Sequence, residues 1–188
     1  MQAYTAKQQL INLSKTLGQG GEGRVFALAD GGQQAVKIYH QLPSIQKQAK
    51  LQAMVADNLT ELSKIALWPT ELVYNAQQEI IGFVMPRLPE GSVAIHHLYN
   101  PSQRKKDFPK ADYAFLVHTA RNLAAAFAYL HSCGHCVGDV NQGNVVVAPD
   151  ATITLIDCDS FQVQHEGQVF ACEVGVAHFT PPELHGQP

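Results

Sequence analysis

Between residues 138 and 157 the chain reads Gly138-Asp139-Val140-Asn141-Gln142-Gly143-Asn144, then Val145-Val146-Val147, then Ile153-Thr154-Leu155-Ile156 and Asp157. The two apolar runs are short, β-branched and separated by Pro149-Asp150, which predicts a tight hairpin. A polar loop opens the hairpin and an aspartate closes it. Asx turns account for each loop Asp or Asn taken singly, but not for an ordered set flanking two buried strands. Asn144 and Asp157 carry side-chain oxygens, the ligand type preferred by a hard cation.

The first third of the chain alternates apolar and polar residues around Gly18-Gln19-Gly20-Gly21-Glu22-Gly23. Arg24-Val25-Phe26-Ala27-Leu28 and Gln34-Ala35-Val36-Lys37-Ile38-Tyr39 follow, separated by Asp30-Gly31-Gly32, so the pattern is strand, glycine turn, strand, turn, strand. Glycine clusters mark hairpin turns more often than phosphate sites, and a strand lysine such as Lys37 can snorkel to solvent. A dinucleotide fingerprint is excluded, because it needs a helix straight after the glycines and here a strand follows. From Ser44, an N-cap after Pro43, apolar residues recur at helical spacing through Val55. Trp68-Pro69 precedes a predicted hairpin, Thr70 to Tyr74 and Ile80 to Met85. That gives a five-stranded sheet with one helix by about residue 88, a proline-rich connector, and a boundary between segments 1–88 and 89–188. The pattern from Asp112 to Ser132 predicts a long buried helix with Tyr113, Phe115, Leu116, Ala120, Leu123, Phe127 and Leu130 on its apolar face and Gly134 ending it.

A hydrophobic content of 46% over 188 residues supports a genuine core, in one domain or two small lobes sharing a cleft. The formal charge of −3 gives no basic field for nucleic acid or anionic lipid. No run of 18 apolar residues or secretory signal is present, and the four cysteines lack the density of a secreted scaffold, so a cytoplasmic protein with reduced thiols is expected. Cys133-Gly134-His135-Cys136 has the gap of a zinc knuckle but no second pair to complete it. His131, His135 and His178 read as helix-end or loop residues, and Arg104-Lys105-Lys106 as a solvated loop.

Taken together these motifs resemble the protein-kinase superfamily over about residues 14 to 188. Gly18, Gly20 and Gly23 match the glycine loop with Val25 two residues beyond, Ala35-Val36-Lys37 the lysine strand, and Asp139, Asn144 and Asp157 the catalytic loop and metal aspartate. Thr180-Pro181-Pro182-Glu183 resembles the end of an activation segment, with Pro-Pro-Glu for Ala-Pro-Glu. With Trp68-Pro69-Thr70-Glu71-Leu72-Val73-Tyr74, this is most similar to compact bacterial serine/threonine kinases of tellurite-resistance-associated phosphorylation systems. The resemblance implies an α+β two-lobe fold whose lower lobe stops after the activation segment, with ATP and Mg2+ as cofactors. Asp139 would orient the acceptor hydroxyl and take its proton, Asn144 and Asp157 would hold magnesium, and Lys37 would hold the phosphates. Met85 would be the gatekeeper, Pro86 carbonyl and Leu88 amide would face the adenine, and Val25, Ala35 and Val146 would sandwich it. Implied partners are a protein substrate, a regulatory partner or second copy covering the short lower lobe, and, from such systems, a phosphatase and a von Willebrand A-type protein. No nucleic-acid or membrane partner is implied.

Several positions depart from the family pattern. Val137-Gly138-Asp139 stands for His-Arg-Asp, so the arginine that reads a phosphorylated activation loop is missing. Cys158-Asp159 stands for Phe-Gly, and Ser160 is the only hydroxyl between Asp157 and Gly175. A kinase not switched on by loop phosphorylation is expected. The helix residue that should pair with Lys37 is open among Gln48, Gln52, Asp57 and Glu61. A pseudokinase scaffold and a small-molecule kinase are the alternatives.

Overall fold

A computed structural model describes residues 2–172 and 182–184. The chain divides into two compact units, one of Met1–Ser63 with Trp68–Arg87, the other of Lys64–Leu67 with Leu88–Pro188.

The first unit is an antiparallel sheet of β1 (Ala3–Tyr4), β2 (Leu10–Ile11), β3 (Leu13–Gln19), β4 (Gly23–Leu28), β5 (Gln34–Tyr39), β6 (Glu71–Tyr74) and β7 (Ile80–Pro86). The strand order is β2-β1-β6-β7-β5-β4-β3. The five expected strands are β3 to β7, and the expected count is corrected to seven by an N-terminal hairpin. Tyr4 pairs with Tyr74, which appends β1 and β2 to the free edge of β6. Two-residue strands are too short to show alternation in a sequence.

Side chains on β5 alternate as the pleat requires. Val36 and Ile38 join Ala3, Val73, Ile81 and Val84 in one core cluster, which puts Ala35, Lys37 and Tyr39 on the opposite face. The strands approach closely here: a Cβ on Gly82 would collide with the carbonyl of Lys37, and one on Gly23 with the carbonyl of Ile38. Both glycines are therefore packing requirements of β5 rather than flexible points.

Helix α1 (Ile45–Ala56) starts where the Ser44 hydroxyl accepts from the Lys47 amide at 3.1 Å. Its other end is held by buried Trp68, whose indole Nε1 donates to the Met54 carbonyl at 3.0 Å. That carbonyl belongs to the last turn, where intrahelical donors run out.

In the second unit, β8 (Val93–Ala94), β9 (Val145–Val147) and β10 (Ile153–Leu155) form a three-stranded sheet in the order β10-β9-β8. Residues 65–67 run beside β10, with Leu155 N–H donating to the Ile65 carbonyl and Leu67 N–H to that of Leu155. The proline-rich connector contains more order than its composition suggests: β8, α2 (His96–Tyr99) and α3 (Pro101–Asp107), the last capped by Asn100. Arg104-Lys105-Lys106 therefore lies on a helix rather than in a loop, and Arg104 donates to the Leu98 carbonyl.

Helix α4 (Tyr113–Ser132) begins at Asp112, whose carboxylate accepts from the Phe115 amide at 2.8 Å, and ends at Gly134 with φ +83°. Its burial is narrower than the apolar pattern predicts. Thr119, Ala126 and Leu130 are buried, Phe115, Leu116, Leu123 and Phe127 are half-buried, and Ala120 and Tyr113 are exposed, Tyr113 by 81%. A hairpin of β11 (Val163–His165) and β12 (Gln168–Phe170) closes the described part through the turn Glu166-Gly167, both with positive φ.

Candidate functional site

The 139–144 loop folds around one carboxylate. Asn144 Nδ2 donates to Asp139 Oδ2 and to the Asp139 carbonyl, each at 3.0 Å, and Asn141 Nδ2 donates to Asp139 Oδ2 at 2.9 Å. Asn141 in turn accepts from the Gly143 amide through its own Oδ1 at 2.7 Å, and its carbonyl accepts from the Asn144 amide. One carboxylate oxygen thus holds two amide donors, while Asp139 Oδ1 is buried with no hydrogen-bond partner among the described residues. A buried acceptor without a donor costs free energy unless something else supplies the proton. Asn141 was not singled out in the sequence; its position two residues after Asp139 in a polar loop is the signal for such a local bond.

The hairpin that follows carries Asp157 back to this loop. Ile156 N–H donates to the Asn144 carbonyl at 3.0 Å, so the residue before Asp157 is pinned to the residue bearing the second oxygen donor. Asp157 itself has φ 59° and ψ 41°, a left-handed conformation costly for a non-glycine residue. Its carbonyl accepts from the amide of Ser160 at 3.0 Å and from its hydroxyl at 2.7 Å, which holds the turn. Because Asn144 donates through Nδ2, its Oδ1 faces elsewhere, and the donor set of Asn144 Oδ1 with the Asp157 carboxylate is all oxygen. That set suits Mg2+ rather than a soft metal.

At Gly138, one residue before Asp139, an added Cβ would run into Cys172 Cβ and Sγ and come within 3.2 Å of the Ser160 carbonyl. The space that a larger side chain would need is filled by the segment after Asp157.

In the first unit Lys37 is buried on β5, paired in register with Val25 on β4 and Phe83 on β7. Its ammonium lies 4.0 Å from Glu22 Oε2 and 5.5 Å from the centre of the Tyr39 ring. Of the four residues weighed in the sequence, Gln48 donates to the Pro43 carbonyl, Gln52 and Glu61 are exposed, and Asp57 lies at the C-cap of α1. A carboxylate near Lys37 comes from the glycine hairpin. Glu22 lies on the glycine hairpin, so helical spacing in the sequence does not point to it.

That hairpin turns between β3 and β4, with the Gly20 amide donating to the Gly23 carbonyl at 2.9 Å. A Cβ at Gly18, Gly20 or Gly21 would meet nothing of the chain within 4 Å, so packing does not explain these glycines as it explains Gly23. Ala35 and Met85 are buried and opposite each other on β5 and β7, Val25 is half-buried, and in the second unit Val146 is buried on β9. Pro86 and Leu88 are half-buried. Glu183 is exposed in a short turn, Pro182–Leu184, while residues 175–181 of the activation-segment motif lie outside the described residues.

The chain has the protein-kinase fold. It superposes on the ROP18 kinase domain in complex with AMP-PNP and sucrose with a TM-score of 0.60, at 13% identity, over 97% of this chain and 60% of that one. It resembles a bacterial protein kinase from end to end: it is 40% identical over 189 residues to Protein kinase YegI of Escherichia coli K12, covering all of this chain. The chain spans 29% of that relative's length. A shorter match, 37% identical over 78 residues, joins 42% of the chain to 5% of the PAS domain-containing serine/threonine-protein kinase of Mus musculus. No family model matches the chain. Among the described residues no helix is long and apolar enough to cross a membrane.

Proposed function

We propose that the chain is the catalytic part of an ATP-dependent protein kinase acting on serine or threonine hydroxyls. The observation that carries this reading is the asymmetry of Asp139, with Oδ2 held by Asn141 and Asn144 and Oδ1 buried without a donor. A carboxylate fixed this way keeps one oxygen for a further hydrogen bond, and an acceptor hydroxyl would supply it once Oδ1 is uncovered.

The hydroxyl oxygen attacks the γ-phosphorus of ATP, the bond to the β–γ bridging oxygen breaks, ADP leaves, and the hydroxyl proton passes to Asp139 Oδ1. Lys37 and the backbone amides of the glycine hairpin bind phosphate oxygens, and the open space at Gly18, Gly20 and Gly21 supports close approach of such a ligand. Asn144 Oδ1 and the Asp157 carboxylate would hold Mg2+, which when bound neutralises phosphate charge. The two compact units correspond in this reading to the two lobes of a kinase. Serine/threonine preference is supported by the name of the mouse relative, and ATP by the AMP-PNP in the ROP18 complex.

Activation without loop phosphorylation is supported by Gly138. An arginine there would displace Cys172, so the site has no room for the side chain that reads a phosphate. A pseudokinase scaffold is the second reading, favoured by the neutral Gln48 and Gln52 in the middle of α1.

The test is phosphate transfer from γ-labelled ATP with Mg2+ to a mixture of serine-, threonine- and tyrosine-containing peptides. Transfer to serine or threonine that disappears in Asp139→Asn, with AMP-PNP binding retained, supports the kinase. Binding with no transfer by the wild-type protein supports the scaffold instead. Transfer to sugars or antibiotics but not peptides would make it a small-molecule kinase.

A further inference from the structure

Helix α1 presents a cation to the glycine hairpin. Lys47 lies in its first turn, with its backbone pinned by the Ser44 cap, and its Nζ sits 2.6 Å from Glu22 Oε2. The same oxygen is 4.0 Å from Lys37 Nζ. Tyr39, buried on the Lys37 face of β5, lies beneath both ammonium groups, 5.5 Å from Lys37 and 5.1 Å from Lys47.

A cation in the first turn opposes the helix dipole, and two cations beside one ring repel each other. The shared Glu22 oxygen offsets both effects. Surface ion pairs count for little; here the two lysine side chains are largely covered, at 10% and 20% exposure, while the shared Glu22 side chain is 53% exposed, so a small effect is expected. The hairpin is tied on the same flank by His40, whose amide donates to the Glu22 carbonyl at 2.8 Å and whose ring nitrogen is 3.1 Å from the Gly20 carbonyl.

We infer that Glu22 and Lys47 are a positioning pair: the glycine hairpin supplies a carboxylate that reaches both Lys37 and Lys47, and α1 supplies the cation that holds the hairpin down. The effect on nucleotide rests on the kinase reading above; the effect on the hairpin does not.

Two measurements test the pair on the full chain. Amide hydrogen exchange of residues 18–24 reads the clasp without nucleotide, and titration with Mg2+–AMP-PNP reads its consequence. Glu22→Gln and Lys47→Gln should each speed hairpin exchange about two- to fivefold and weaken AMP-PNP by a similar factor, the range of a partly covered ion pair. The double variant should be no worse than Glu22→Gln alone, because the Lys47 change then removes an interaction already lost. The charge-exchanged Glu22→Lys/Lys47→Glu protein should recover hairpin protection, and the wild-type advantage should shrink in about 1 M salt. Unchanged melting temperatures confirm that the fold is intact. Hairpin exchange equal in wild type and Lys47→Gln, or an exchanged pair no better than the singles, overturns the proposal. A wild-type protein that binds no AMP-PNP sinks the nucleotide reading, and hydrogen exchange still decides the clasp.

Discussion

Asn144 holds Asp139 twice, donating from one nitrogen to the carboxylate Oδ2 and to the backbone carbonyl, each at 3.0 Å. The side chain that leaves its own oxygen for a cation therefore also fixes the rotamer of the proposed base. Asn141 adds the second donor to Oδ2. Replacing Asn141 by Ala removes one neutral-to-charged hydrogen bond, and phosphate transfer should fall about tenfold in kcat with little change in nucleotide affinity. Asn144→Ala should lose at least about a hundredfold and weaken Mg2+-dependent nucleotide binding, because it removes the second donor and a metal oxygen together. Steady-state kinetics with AMP-PNP titration separates the two; equal losses in the two variants would contradict the division of roles.

The order of Asp139, Asn144 and Asp157 was legible in the chain because a short hairpin between polar residues leaves its mark in β-branched runs and a turn dipeptide. The strands β3 to β7 and the cap at Ser44 were legible for the same local reasons. What was not legible depends on contacts distant in sequence. Glu22 meets Lys47 across 25 residues, and nothing local to either marks the pair. The narrow burial of α4 is also a tertiary result, since an apolar face in sequence states only what a helix can cover. β1 and β2 were missed because two residues are too few for a period.

Gly138 is fixed by steric conflict with Cys172. Gly138→Ala should destabilise the protein by about 2–4 kcal/mol, the cost of forcing an extra carbon into a filled position. Because the conflict involves both Cβ and Sγ of Cys172, Cys172→Gly should restore most of the loss in the double variant, whereas Cys172→Ser should not. Thermal denaturation of the four proteins forms the cycle. Additive losses would show that the two positions do not meet.

Trp68 acts through its indole N–H as well as its bulk. Phe at this position retains most of the buried apolar surface but leaves the Met54 carbonyl without that donor. Trp68→Phe should cost about 1–3 kcal/mol. Hydrogen exchange should show the loss concentrated in the last turn of α1, followed by circular dichroism because the only tryptophan is gone. A uniform loss across the first unit would assign Trp68 to packing alone.

Asp157 combines an unfavourable backbone with the position proposed above to supply a metal oxygen. The left-handed conformation costs an L-residue about 1 kcal/mol and glycine almost nothing. Asp157→Ala and Asp157→Gly both delete the carboxylate, so the difference between them isolates the backbone. The glycine variant should be more stable than the alanine variant by about 1 kcal/mol, read from denaturant midpoints at equal slope. Both should lose phosphate transfer and Mg2+-dependent AMP-PNP binding. Asp157→Asn, which tolerates the same conformation, should fold like wild type yet bind Mg2+–AMP-PNP weakly. Strain retained at a residue that glycine would relieve is what selection for a carboxylate at that point produces, and equal stability of the glycine and alanine variants would show that no such strain is held there.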